Sequence, residues 1–469
     1  MAEGAAPGRG RACGPVPPAS GGDISGKMKG GGAASGDPGR ALTQFALRAR
    51  VPEDVLELQR MCLFDWAVCA VAGAAEPVAR VARAQVSAEG GAGQASVAGL
   101  AGMAVPARAA AFANGTVSHA LDYDDTHFAH IGHPSVVVLP AVLAVAERAG
   151  APAGAVLSAA IVGSEASVRV GQWLGESHAA AGFHTTATAG AIGAGLGVAR
   201  LMGLSEAAVG HVLGLLSTRA SGLRTQFGTM GKPLNAGFAA AAAVEAADLV
   251  AAGAVSAPGA LAGSQGFGPA HRGAGHGEAL TRLGTDWRMR TVTHKFHVCC
   301  HGLHAMLEAL GGLQLAPAAI DRVTVRTHPR WRRVCDVAAP RTGLEAKFSY
   351  RMAAALALAG YDTAAPASFC DAHCSDPALT ALRDKVDVVP DETLTRSAVE
   401  VEVSAAGGRA HRVRHDIATP LEAQVRRERL LRKAHALLGP ETAGALAEAA
   451  LAPEPDLPAL MACLRAARA

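Results

Sequence analysis

Residues 184–202 read HTTATAGAIGAGLGVARLM, with Gly190 and Ala194, and Gly193 and Gly197, set four apart. Small residues at that spacing lie on one helical face and let a neighbouring helix approach closely; the steric argument is general, although best known from membranes. The segment therefore predicts a central, buried helix. Its surroundings agree. Residues 55–74, 135–149, 153–174, 205–221 and 236–252 also carry helical apolar spacing between Gly and Pro breaks. From Ala41 to about Leu283 the pattern is helical almost throughout. There is no β-α-β alternation and no phosphate loop opening a helix after a strand, which argues against dinucleotide and P-loop folds.

The character changes after about Asp286. DRVTVRTH (321–328) alternates as a strand does. Residues 398–417 read as a hairpin around Gly407–Gly408. Helical stretches at 301–311 and 345–359 lie between them. Thr419–Pro420–Leu421–Glu422 suggests a capping box opening the C-terminal helices. The expected fold is mainly α: a large helical domain formed by 41–288 and 418–469, with a smaller α+β domain, 289–417, inserted. Residues 1–40, rich in Gly, Ala, Pro and Ser, predict a disordered tail, or a start misassigned upstream of Met28, without the apolar stretch of a secretory signal.

Half of the 469 residues are hydrophobic and the formal net charge is +3. That charge is too small to argue for a nucleic-acid surface. The longest uncharged run, about Gly182–Ala199, is too polar and small-residued for a membrane span. Nine Cys without framework spacing read as reduced thiols in a cytoplasmic protein. Cys370, His373 and Cys374, and Cys299–Cys300 beside His297, His301 and His304, lack the spacing of structural zinc sites.

Chemistry concentrates in HALDYDDTHFAHIGHPSVVVLP (119–140). His119, Asp122, Asp124, Asp125, His127, His130 and His133 fall within fifteen residues, and could be metal ligands, acid/base groups or a polar loop. His133 precedes Pro134 and is held extended, with Ser135 as N-cap of the next helix. A histidine at a helix N-terminus, its ring oriented by an aspartate, suits acid/base work beside an anion. His184 stands at the start of the small-residue helix. Lys232, on a Gly-flanked turn before an Ala-rich helix, could meet a carboxylate. Lys295 stands where the two domain characters meet and could close over an anion. Read one at a time, His184 is a cap and Lys232 a surface lysine.

LDYDDTH…HPS with PAVLAVAE after it, GFH before the small-residue helix, GTMGKPLNAG and KFHVCCHGLH occur in this order. Together they resemble the MmgE/PrpD family, which includes 2-methylcitrate dehydratases, cis-aconitate decarboxylases and iminodisuccinate epimerases. The resemblance covers nearly all of Ala41–Leu460. It implies a homodimer acting on a small polycarboxylate, with no metal or organic cofactor. The implied site residues are Asp122, Thr126, His133, His184, Lys232 and Lys295. His133, Asp122 and His184 would be catalytic; Thr126, Lys232 and Lys295 would bind substrate. The spacer after Thr126 varies in the family, so His130 competes with His133, which the HPS element favours. The lid element KFS (347–349) is present, but a tyrosine often found shortly afterwards is Met352 here. The expected activity is a cofactor-independent lyase or isomerase moving a proton at carbon next to a carboxylate, with dehydration preferred to decarboxylation or epimerisation. A metal-dependent hydrolase and a non-catalytic carboxylate-binding protein are the readings from other classes.

Overall fold

In the computed structural model, the described residues are 37–468, without 258, 314, 406 and 407. Most of the expected tail, 1–36, lies outside them. Its last residues belong to the fold instead: Asp37 caps the first helix, accepting from the Gly39 N–H at 2.9 Å, and Pro38 opens it. The helical part runs α1 (Pro38–Arg48), α2 (Glu53–Gly73), α3 (Pro77–Glu89), α4 (Ala107–Ser118), α5 (Ser135–Ala149), α6 (Ala153–Ala180), α7 (Thr185–Leu201), α8 (Glu206–Arg219), α9 (Gly231–Ala251) and the single turn α10 (Phe267–Ala270).

Helix α7 is central, and its glycines are the reason. A Cβ on Gly193 would stand 2.4 Å from the Gly163 carbonyl of α6, and one on Gly197 2.8 Å from the Ala159 carbonyl. On its other side, Gly190 lies against Val137 of α5. The helices pack with backbones nearly touching, as small-residue faces permit. A buried ion pair fixes α6 to the segment that follows α10. Arg169 Nε donates to Glu165 at 2.6 Å, its Nη1 reaches the Ala279 and Thr281 carbonyls, and Glu165 accepts the Arg288 and Met289 N–H groups. Helices α6 and α9 are long and apolar enough to cross a membrane by length and composition, but 83% and 67% of those windows are buried against the rest of the fold.

Then come α11 (His304–Gly311), β1 (Ile320–Thr327), α12 (Pro329–Cys335), α13 (Gly343–Ala346), α14 (Tyr350–Leu358), α15 (Asp371–Ser375), α16 (Pro377–Arg383), β2 (Val386–Pro390), β3 (Ala398–Ala405) and β4 (Arg409–Asp416). The sheet order is β2-β1-β3-β4, with β1 parallel to β2 and antiparallel to β3. Val323 and Val325 face a second hydrophobic cluster with Val399, Val401, Leu307 and Tyr350. Strand β4 is a charged edge, RAHRVRHD, of the kind that discourages pairing with other chains.

The last helices, α17 (Ala423–Leu451) and α18 (Leu457–Arg465), return to the first cluster through Leu430, Ala434, Leu446 and Leu460. The expected capping box does not form. The chain leaves β4 through a turn, and α17 starts at Ala423 with no side-chain cap from Glu422. The described residues make one compact unit with two hydrophobic cores.

Candidate active site

The polar cluster fills the loop between α4 and α5. Asp122 sits at its turn with φ 51°, a left-handed backbone that few residues other than glycine adopt. The Lys295 ammonium holds this turn by donating to the Asp122 carbonyl at 2.5 Å. Thus aimed, Asp122 Oδ1 meets Lys232 Nζ at 2.6 Å, Lys295 Nζ at 2.9 Å and His133 Nε2 at 3.3 Å. Burial pulls the Asp122 carboxyl up, but the two ammonium groups outweigh it and hold the carboxyl well below the usual range.

Asp124 works from the other side of the same imidazole. Its carboxylate lies 2.9 Å from His119 Nδ1 and 2.9 Å from His133 Nδ1, the second contact lying off the line of the ring N–H. Burial raises Asp124 too, and His119 and His133 more than reverse it. His133 itself is pushed down to about 4 by burial, with His119 and Lys232 adding to that and Asp124 opposing it. At neutral pH it is an uncharged imidazole between two carboxylates. Asp122 was expected to orient the ring; its shortest contacts are to the lysines, and Asp124 lies closer to His133.

His184 occupies the N-cap position of α7, but its ring does not cap the helix. It stacks 6.1 Å from His119, stands edge-on to Phe227 at 5.0 Å, and its Nδ1 is 3.3 Å from Asn235 Nδ2. Lys232 lies in the first turn of α9, not on a loop before it, with its ammonium 5.4 Å from the Phe227 ring centre. Thr126 pairs with Thr293 through both backbones, and its Oγ1 contacts His301 Nδ1 at 2.7 Å. The fold thus brings Asp122, His133, Lys232 and Lys295 into direct contact. His184 joins through His119. Thr126 is tied in beside Lys295 through Thr293.

Asp125 and His127 have structural partners of their own. The Asp125 carboxylate accepts the Ser135 N–H at 3.2 Å and its hydroxyl, so Ser135 begins α5 and does not cap it. Burial pushes Asp125 up to about 7. His127 bonds the Arg288 carbonyl and Thr291. The His130 ring is packed against Gly171 and Gly132, apart from the lysines. Tyr350 is also spent elsewhere, donating to the Gly302 carbonyl at 2.6 Å within the second core.

Three participants had no role of their own in the sequence reading: Asp124 and His119, which flank the turn and stood only as members of the polar cluster, and His301, 175 positions from Thr126. A fourth, Lys433 on α17, donates to the Tyr123 carbonyl at 2.6 Å and to Asp65 at 2.5 Å, pinning the loop from beneath. Nothing local in its sequence marks it.

Donor atoms of His119, Asp122, Asp124 and His133 come within 4.8 Å of one another, as do those of Cys62, Asp125 and His294. In the first group the carboxylate of Asp122 is already shared by two ammonium ions. A divalent cation there would face like charges at hydrogen-bonding range, an arrangement that favours an anion instead. Among the described residues, the Cys/His runs at 297–304 and 370–374 do not bring three or more metal-donor atoms together.

Comparison with known proteins agrees with the motif order. Residues 40–276 match the MmgE/PrpD N-terminal domain, and residues 297–451 the C-terminal domain. A cis-aconitate decarboxylase of Aspergillus terreus is 32% identical over 281 residues, 56% of this chain and 57% of that protein. The cis-aconitate decarboxylase-like protein oryM of Aspergillus oryzae is 31% identical over a stretch of equal length. Human cis-aconitate decarboxylase is 32% identical over 154 residues, 32% of each chain. The chain spans somewhat over half the length of the Aspergillus relatives it matches. With both domain matches in sequence order and together covering most of its length, the chain belongs to the MmgE/PrpD family.

Proposed function

We propose that the protein is a cofactor-independent lyase of small tricarboxylates, acting by proton transfer at carbon next to a carboxylate. The observation that carries this reading is the meeting of Lys232 and Lys295 on one carboxylate oxygen, 3.3 Å from the uncharged imidazole of His133. A substrate carboxylate would take over the ammonium groups from Asp122. The lysines would then stabilise negative charge spreading from the reacting carbon into that carboxylate. His133, held by Asp124, would accept or return the carbon-bound proton. His184 and Thr126 would position substrate. The smaller core, with Lys295 and His301 at its border, would serve as a lid.

The names of the relatives support decarboxylation of cis-aconitate as the first reaction to test. Dehydration of a 2-methylcitrate-like substrate is the second reading. It is favoured by Met352 and by the burial of the Tyr350 hydroxyl, which leave the lid without the phenol often found there in the family. Proton NMR in deuterated buffer with cis-aconitate, 2-methylcitrate, citrate and iminodisuccinate separates the outcomes. Loss of carbon dioxide, alkene formation and deuterium exchange with inversion each leave a distinct spectrum. Thermal stabilisation by all four without product would replace the enzyme with a binding protein. Stoichiometric zinc, iron or manganese, with activity lost on chelation, would replace it with the metal-dependent hydrolase.

We also infer a homodimer. Leu223, Phe227, Met230, Phe238 and Leu249 are exposed along α9 and the loop before it, apolar side chains of the kind that protein–protein contacts cover. Light scattering at micromolar concentration should give twice the chain mass; a monomer would refute this.

A further inference from the structure

A cavity of about 300 Å³ lies behind Thr126, bounded by the 292–296 segment, α11, the end of β4 and the start of α17. Its wall on the catalytic side is Thr293 and His301, the two residues that hold Thr126. At its base is Arg426, only 4% exposed. One arm of that guanidinium donates to the Val292 carbonyl at 2.9 Å and lies 3.0 Å from His294 Nδ1, both uncharged acceptors. Among the described residues Arg426 forms no ion pair. A buried cation without a counter-charge is costly, and this one borders a space large enough for a small polyanion.

The rest of the lining is consistent with that. Arg429 is engaged by Glu308 and lies over the Phe296 ring at 4.0 Å. Arg414, exposed on β4, and Asp416 stand at the rim. Three arginines therefore face two carboxylates. His294, His301 and His304 are held well below their ordinary range by burial and by neighbouring cationic groups, so they line the cavity as neutral imidazoles; His304 Nε2 is spent on the Cys299 carbonyl and His294 lies between Arg426 and Cys62.

We infer that this cavity is a second binding site for a small oxyanion carrying two or more negative charges, anchored by Arg426 and separate from the Lys232–Lys295 pair. It does not rest on the proposed reaction, because binding alone reads it out.

The test is calorimetric titration of the full chain with citrate at neutral pH, with inorganic phosphate as competitor. The wild type should show two classes of site. Lys232→Met should lose one and keep the other. In that background Arg426→Gln should weaken the remaining site at least tenfold. Arg414→Glu, on an exposed strand position that leaves both cores untouched, should weaken it several-fold with an unchanged melting temperature, so the result does not depend on Arg426→Gln folding. Phosphate competing at the Arg426 site would identify it as a general oxyanion site; failure of phosphate to compete would restrict it to carboxylates. No citrate binding by Lys232→Met, or an affinity in that background untouched by Arg414→Glu, would overturn the inference; a single class in the wild type that survives Lys232→Met and weakens with Arg414→Glu would fault the proposed function instead.

Discussion

His133 is the residue on which the proposed chemistry turns, and its surroundings say what its loss should do. Its ring touches Asp122 and Asp124 but adds little to the hydrophobic cores. His133→Ala should therefore lower kcat by about 10²–10⁴, the usual worth of a positioned acid/base group, while the melting temperature stays within a few degrees of wild type. Activity near wild type in a folded H133A protein would remove His133 from the mechanism. At this scale the sequence was readable where a residue's role follows from its neighbours in the chain. The position of His133, before Pro134 at the start of α5, is such a case. It was unreadable where the partner comes from far away. Asp124 and Asp125 are adjacent and of one type, yet the turn at Asp122 sends one to His119 and His133 and the other to Ser135. The choice depends on a positive φ that no local preference for aspartate dictates. His301 reaches Thr126 only because the 292–301 segment folds back across the loop.

Among the elements, α7 was the most legible. The spacing of Gly190, Gly193, Ala194 and Gly197 encodes contact with another backbone directly. Gly193→Val would drive a branched side chain into the Gly163 carbonyl and Ser167 of α6. Overpacking of this kind costs about 1–3 kcal/mol, and the rigid backbone on the far side argues for the upper end. Denaturant melts should show that loss, whereas Gly210→Ala, at a helical position with open space around it, should be neutral or stabilising. Equal effects of the two changes would mean that α6 and α7 do not meet as described. Less of the smaller core was legible. Strand β2 is five residues long, ends in Pro390 and pairs with β1 in parallel, so neither length nor a hairpin turn announces it. The start of α17 was expected at Pro420 and lies at Ala423. Thr419, Pro420 and Glu422 have the composition of a cap, but the exit from β4 uses Thr419 for its own turn and for the cavity lining, and the helix begins only at Ala423.

For the whole molecule, the burial of so many imidazoles sets the response to acid. His127, His133 and His178 are each held down to about 4, chiefly by burial, against about 6.5 in an unfolded chain. As pH falls through 6.5 the unfolded chain takes up protons that the folded one refuses until about 4. Stability must therefore fall with pH across that window, by about 1.4 kcal/mol per pH unit for each such proton. Asp125 acts in the opposite sense. Its carboxyl, raised to about 7 when folded, contributes stability that is lost as pH rises from about 4 to 7. Asp65 and Glu165 are raised in the same sense as Asp125, so three carboxyls stand against His127, His133, His178 and the further lowered histidines, His130, His184, His294, His301 and His304. Asp122 and Asp124, held well below the usual carboxylate range, add a loss only below about pH 4. The melting temperature should drop steadily between pH 7 and pH 5, and the drop should shrink in His127→Gln, which removes one titrating ring while keeping a hydrogen-bonding side chain near Thr291. A melting temperature that stays level or rises on acidification would mean that these histidines are hydrated in solution and that the cavities around Thr126 and His133 are open to water.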